Sequence, residues 1–199
     1  MDIDEEAIDA IRELINIGVG KAAGLLSEMT GCRIILKVPA IRITRITDLS
    51  TEVGPGPQDN LATVALSFRG SMSGLTALVF PPDSAASLVM LLTGEKTGTA
   101  ELDAIRVETL REVGNIIINA VMGSIANILE QHLTYALPTY QETTLSSLAG
   151  SRKKDSDDWV VLAETRFVIE NMPIEGNLLL IFEVGSIDTL VAALKKSGT

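Results

Sequence analysis

Two glutamate and asparagine pairs stand out by their spacing. Glu13 and Asn16 lie three residues apart in ELINIGVG, and Glu112 and Asn115 lie three apart in EVGNIIIN. Asp9 and Glu108 each stand four residues before the glutamate, so each triplet follows i, i+4 and i+7, the spacing that aligns side chains on one face of a helix. Neither triplet holds a nucleophile, a histidine base or a metal triad. Recognition and positioning remain open to them. A row of carboxylates favours a cationic visitor. An asparagine amide both donates and accepts, so it can hold a water with one group and touch a phosphoryl or carbonyl oxygen with the other. That suits a reaction whose metal and labile phosphoryl group arrive on the partner.

The rows require helices, and the sequence supplies them. At 100° per residue, Ile8, Ile11, Ile15, Val19, Ala22 and Leu26 form an apolar stripe, with Asp9, Glu13 and Asn16 set off from it. Val107, Leu110, Gly114, Ile117, Val121, Ile125 and Ile128 form the corresponding stripe of a second helix, apart from Glu108, Glu112 and Asn115. The first helix is expected over about 4–29, ended by Gly31, and the second over about 101–131. Alternation in LATVALSFRG and WVVLAETRFVIEN predicts strands near 61–69 and 159–169 with one face buried, partnered by strands near 72–80 and 176–184. Shorter helices are expected from Pro82 or Asp83 to Leu92, closed by Gly94, and from Ser186 to Lys195.

These elements occur in the same order twice. Glu13 and Glu112, Asn16 and Asn115, and Pro39 and Pro138 are each 99 residues apart. SGLTALVFPPDSAASLVMLL resembles EGNLLLIFEVGSIDTLVAAL in character at nearly the same offset. Two copies are too few for a solenoid. The expected fold is α/β: one domain over 1–199 built of repeats at about 1–97 and 98–199, with a mostly antiparallel sheet of about six strands. The sheet carries helices on one face, and two long helices expose the rows at opposite ends of a pseudo-two-fold body.

Composition narrows the function. An excess of 26 acidic over 16 basic residues gives a formal charge of −10, which argues against a nucleic-acid ligand. No unbroken apolar run reaches the length of a membrane span, and the start MDIDEEAIDA is unlike a secretory signal, so a cytoplasmic location is expected. One cysteine, Cys32, and one histidine, His132, cannot assemble a usual zinc site. Cys32 is expected to be inert and half-buried. NIGVGK lacks the preceding strand that a phosphate-binding loop needs. The charge run SRKKDSDD and the turn EVGPGPQDN are expected to be exposed loops, the former offering Arg152, Lys153 and Lys154 as a minor docking alternative.

The residues also carry a family pattern. The sequence resembles the CheC, CheX and FliY group of chemotaxis phosphatases, most of all CheC, whose signature is Asp or Ser, three residues, Glu, two residues, Asn, then twenty-two residues and Pro. Asp9, Glu13, Asn16 and Pro39 match in full. Glu108, Glu112, Asn115 and Pro138 match except that Glu108 replaces Asp or Ser. INIGVGKAA and VGNIIINAVMG look like the surrounding family strings.

The resemblance implies a phosphatase acting on the phosphoaspartate of a CheY-like response regulator, in chemotaxis or a related two-component pathway. It assigns Glu13 and Glu112 to the regulator's lysine, and Asn16 and Asn115 to orienting water in two equivalent sites. Pro39 and Pro138 would shape the chain. No cofactor is implied for this chain, with Mg2+ expected on the regulator. The receptor deamidase CheD is a further implied partner, and the alternative function is a non-catalytic adaptor for the regulator or for CheD. A flagellar-switch role is the structural alternative. The internal pair of sites favours a monomer. Both asparagines are expected to be exposed, so that changing them to alanine leaves the fold intact.

Overall fold

The computed structural model describes residues 4–49, 60–94, 100–130, 132–150, 158–169, 172–183 and 185–197. Helix α1 (Glu5–Thr30) starts where the Asp4 carboxylate accepts the Ala7 N–H and stops at Gly31, whose φ of 68° permits the left-handed cap. β1 (Ile34–Arg45) and a single 3-10 turn (Ile46–Asp48) follow, then β2 (Leu61–Arg69), β3 (Gly74–Phe80) and α2 (Pro82–Thr93). The second copy contains α3 (Ala100–Leu129), β4 (Thr134–Tyr135), β5 (Thr139–Thr143), a short α4 (Leu145–Gly150), β6 (Trp159–Ile169), β7 (Met172–Phe182) and α5 (Ser186–Ser197). The two long helices and β2, β3, β6 and β7 lie where periodicity predicts them. The short α4 was not foreseen, and most of SRKKDSDD and EVGPGPQDN falls outside the described residues.

All seven strands share one antiparallel sheet, in the order β1-β6-β7-β3-β2, with β4 and β5 following each other along the outer edge of β2. The two halves of that order mirror one another about the β7–β3 pair. Each copy lends an edge strand to the other: β1 of the first pairs with β6 of the second, and β5 of the second pairs with β2 of the first. The copies are therefore interlocked.

Alternating side chains divide the sheet into two cores. Val64, Leu66, Phe68, Leu78, Phe80, Phe167, Leu178, Leu180 and Phe182 face the same core as the apolar stripes of α1 and α3. Leu61, Ala65, Ala77, Val79, Leu162, Leu179 and Ile181 form a smaller core on the other face with Ile46, Leu49, Leu145 and Leu148. The central strands are thus buried on both faces, where their alternation predicted one. Small residues on the second face, Ala65 and Ala77, suit a thin cover, which among the described residues comes from the 3-10 turn with Leu49 and from α4. The two long helices also approach closely, since a Cβ on Gly18 would stand 2.5 Å from Val121 Cα. Cys32 is half-buried beside the main core.

Candidate functional site

The rows sit on the two longest helices, turned away from the packing stripes. Ile11, Ile15, Val19, Ala22 and Leu26 of α1 are buried, as are Leu110, Ile117, Val121 and Ile125 of α3. That burial fixes how each helix is rolled. Asp9, Glu13, Glu108 and Glu112 are exposed in consequence.

The outermost carboxylates do not remain free. Asp9 accepts a hydrogen bond from Arg12 at 2.7 Å, and Glu108 accepts two from Arg111 at 2.8 and 2.6 Å. Arg12 and Arg111 are also 99 residues apart, a repeated signal that the sequence reading missed. These pairs contribute little to stability, as exposed ion pairs usually do. Their effect is on the site, because each guanidinium is occupied by the carboxylate three residues before it. Glu13 and Glu112 have no hydrogen-bond or ion-pair partner among the described residues and remain available to a cation from outside.

Asn16 is half-buried and tethered, which corrects the expectation that it is simply exposed. Its Oδ1 accepts the backbone N–H of Val38 at 3.2 Å. Val38 and Pro39 together oppose the single residue Thr165 on β6, so β1 carries a bulge there. Pro39 has no N–H to give to the ladder. The bulge lets the Val38 N–H leave the sheet and reach the helix, a physical reason for the spacing of Asn16 to Pro39. With Oδ1 held inward, Nδ2 has no partner among the described residues and is not buried. The amide offers its N–H donors outward in a fixed orientation.

Asn115 is also half-buried, but it is held differently. Its Oδ1 accepts from Asn119 Nδ2 at 2.6 Å. The edge strand of this copy also carries one extra residue, with Ala136–Pro138 opposite Leu66 and Ser67 of β2. Yet Leu137, the counterpart of Val38, is 86% exposed where Val38 is 4% exposed. The tether between Asn16 and Val38 has no counterpart here among the described residues, and the two sites are not locally equivalent. Pro138 is half-buried next to this outward turn.

Among the described residues there is no cluster of three His, Cys, Asp or Glu side chains able to hold a metal, and no helix long and apolar enough to cross a membrane. An open groove of about 360 Å³ at the C-terminal end of α3 is lined by Asn127, Glu130, His132, Leu133 and Tyr135 and contains no row residue. Burial there raises the Tyr135 phenol above its ordinary pKa.

Comparison with known proteins bears on this arrangement. The model of the CheC-like family matches residues 6–43, the segment that contains Asp9, Glu13, Asn16, Val38 and Pro39. That segment is similar to the CheC-like family. The chain is 25% identical over 139 residues to the CheY-P phosphatase CheC of Bacillus subtilis, covering 68% of this chain and 66% of that protein. It is 19% identical over 198 residues to the flagellar motor switch phosphatase FliY of the same organism, covering 98% of this chain and 51% of that one. The chain thus spans just under two thirds of one relative and about half of the other.

In fold it is similar to Thermotoga maritima FliY, with a TM-score of 0.78, 20% identity and coverage of 98% of this chain and 99% of that one. It is also similar to the middle domain of Helicobacter pylori FliM, with a TM-score of 0.66, 11% identity and coverage of 96% and 99%. The fold is shared across proteins with different names.

Proposed function

We propose that this chain is a phosphatase that hydrolyses the phosphoaspartate of a CheY-like response regulator. The observation that carries the reading is the pinned amide of Asn16, aimed out of the helix one turn from an unpaired Glu13. Glu13 and Glu112 receive the lysine of the regulator's active site. Asn16 and Asn115 enter beside the acyl phosphate, where Nδ2 donates to the attacking water or a phosphoryl oxygen. Water adds to phosphorus, the bond from phosphorus to the aspartyl oxygen breaks, and carboxylate and inorganic phosphate result. The regulator brings its own Mg2+ to neutralise the phosphoryl oxygens. An acyl phosphate is reactive already, so fixing water and phosphate in line is the remaining task, worth on the order of a hundredfold.

The relatives named as a CheY-P phosphatase and a flagellar motor switch phosphatase support this reading at the family level. Likeness to FliM in fold leaves open a second reading, an adaptor that binds the regulator, or CheD, without turnover. One experiment separates them. Loss of phosphate from CheY-like regulators is followed with and without the protein in Mg2+ buffer. Acceleration that the N16A/N115A variant lacks supports hydrolysis; binding without acceleration would leave the adaptor.

A further inference from the structure

We propose that Asn119 is a positioning residue of the second site, holding the Asn115 amide in the orientation that the sheet backbone imposes on Asn16. The proposal rests on the hydrolase reading given above. In the first copy the residue twenty-two positions after the asparagine is Val38, buried in the β1 bulge, and its N–H donates to Asn16 Oδ1. In the second copy the same position is Leu137, turned outward and 86% exposed, so that anchor is lost. Asn119 donates to Asn115 Oδ1 in its place, at 2.6 Å from one helical turn further along α3. The first copy has Gly20 at the position of Asn119, which has no side chain to offer.

Two considerations connect this pair to function. Asn119 is exposed in the middle of a helix, where asparagine forms helix less well than alanine, so the fold gains nothing evident from it. The bond also occupies the same atom, Oδ1, that the backbone occupies in the first site, and leaves Nδ2 of Asn115 unpartnered and unburied among the described residues. Both amides therefore present their donors by different means. Without Asn119, the Asn115 side chain is free to redistribute among its staggered rotamers, and the productive fraction falls.

The test silences the first site with N16D, then compares N16D, N16D/N119A and N16D/N119Q in turnover of a phosphorylated CheY-like regulator. N119A should lower kcat roughly threefold to tenfold while leaving KM unchanged, from rotamer dilution and loss of alignment. N119Q, which keeps an amide donor, should recover part of the loss. The urea midpoint of the N119A variant should equal or exceed that of its parent. An unchanged kcat would overturn the proposal, as would a loss that appears in KM or that accompanies a lower midpoint. An N16D parent with no turnover would also overturn it, because Asn115 would then have no reaction to serve. Wild-type protein that leaves the phosphate lifetime unchanged would instead refute the hydrolase reading, and this proposal with it.

Discussion

Changing Asn16 and Asn115 to alanine one at a time should have unequal effects on stability. In N16A the Val38 N–H, on a residue only 4% exposed, loses its acceptor. An unmade hydrogen bond at a buried donor costs about 1–3 kcal/mol. Alanine returns roughly half a kcal/mol in helix propensity. The net loss is about 0.5–2.5 kcal/mol, or roughly 0.3–1.2 M in urea midpoint for a slope near 2 kcal/mol per M. N115A breaks a bond to an exposed amide that water can satisfy, so it should remain within about 0.5 kcal/mol of wild type. N16D keeps an acceptor for Val38 and should lose less than N16A. Equilibrium urea unfolding of the three variants checks this. Equal midpoints for N16A and N115A would refute the tether argument.

Four further outcomes follow from the geometry. Charge reversal in E13K/E112K should weaken regulator binding several-fold, more at low salt than high, read by titration of a labelled regulator; unchanged affinity would refute the lysine assignment. Gly18→Val should destabilise by about 1–3 kcal/mol, because its side chain must displace the Val121 backbone; unfolding at the wild-type midpoint would show that the helices separate freely.

Residues 1–97 and 98–199 expressed separately should each lack a cooperative unfolding transition, and mixing should restore it, because β1 and β5 complete each other's sheet halves; calorimetry decides. The Asp4 carboxylate is held below its ordinary pKa of 3.8, first by the hydrogen bond from Lys195 and then by the Ala7 N–H. Its stabilising contribution is therefore complete above that value and lost as pH falls through the depressed folded pKa. D4N should show a shallower loss of stability over that acid range, and an unchanged acid limb would contradict the assignment.

The elements were legible where one physical signal governed them. The stripe from Ile11 to Leu26 predicted how α1 is rolled, and Gly31 and Gly94 predicted where α1 and α2 stop, because a left-handed cap needs a residue without a Cβ. The 99-residue offset exposed the repeat, but not the exchange of β1 and β5 between copies, since strand partners depend on tertiary packing. The second small core was hidden for a similar reason: LATVALSF alternates large and small residues, and small residues read as an uncovered face.

At the site, types and spacing were visible and bonding was not. Asn16 and Val38 meet only because Pro39 sits in a bulge, and a bulge is a property of two strands in register. Identical spacing in the second copy suggested an equivalent site, yet Leu137 turns outward and Asn119 takes over. Arg12 and Arg111 are legible in the repeat, since they share its 99-residue offset.

The most direct measurement is the phosphate lifetime of a CheY-like regulator with wild-type protein and with N16D/N115D, after confirming that the variant unfolds near the wild-type midpoint. The substitution retains an oxygen acceptor in each site and removes the N–H donors. The account predicts that the lifetime shortens with wild type and returns to the regulator's own value with the variant. Full acceleration by the folded variant would contradict the assignment of catalysis to the two amides.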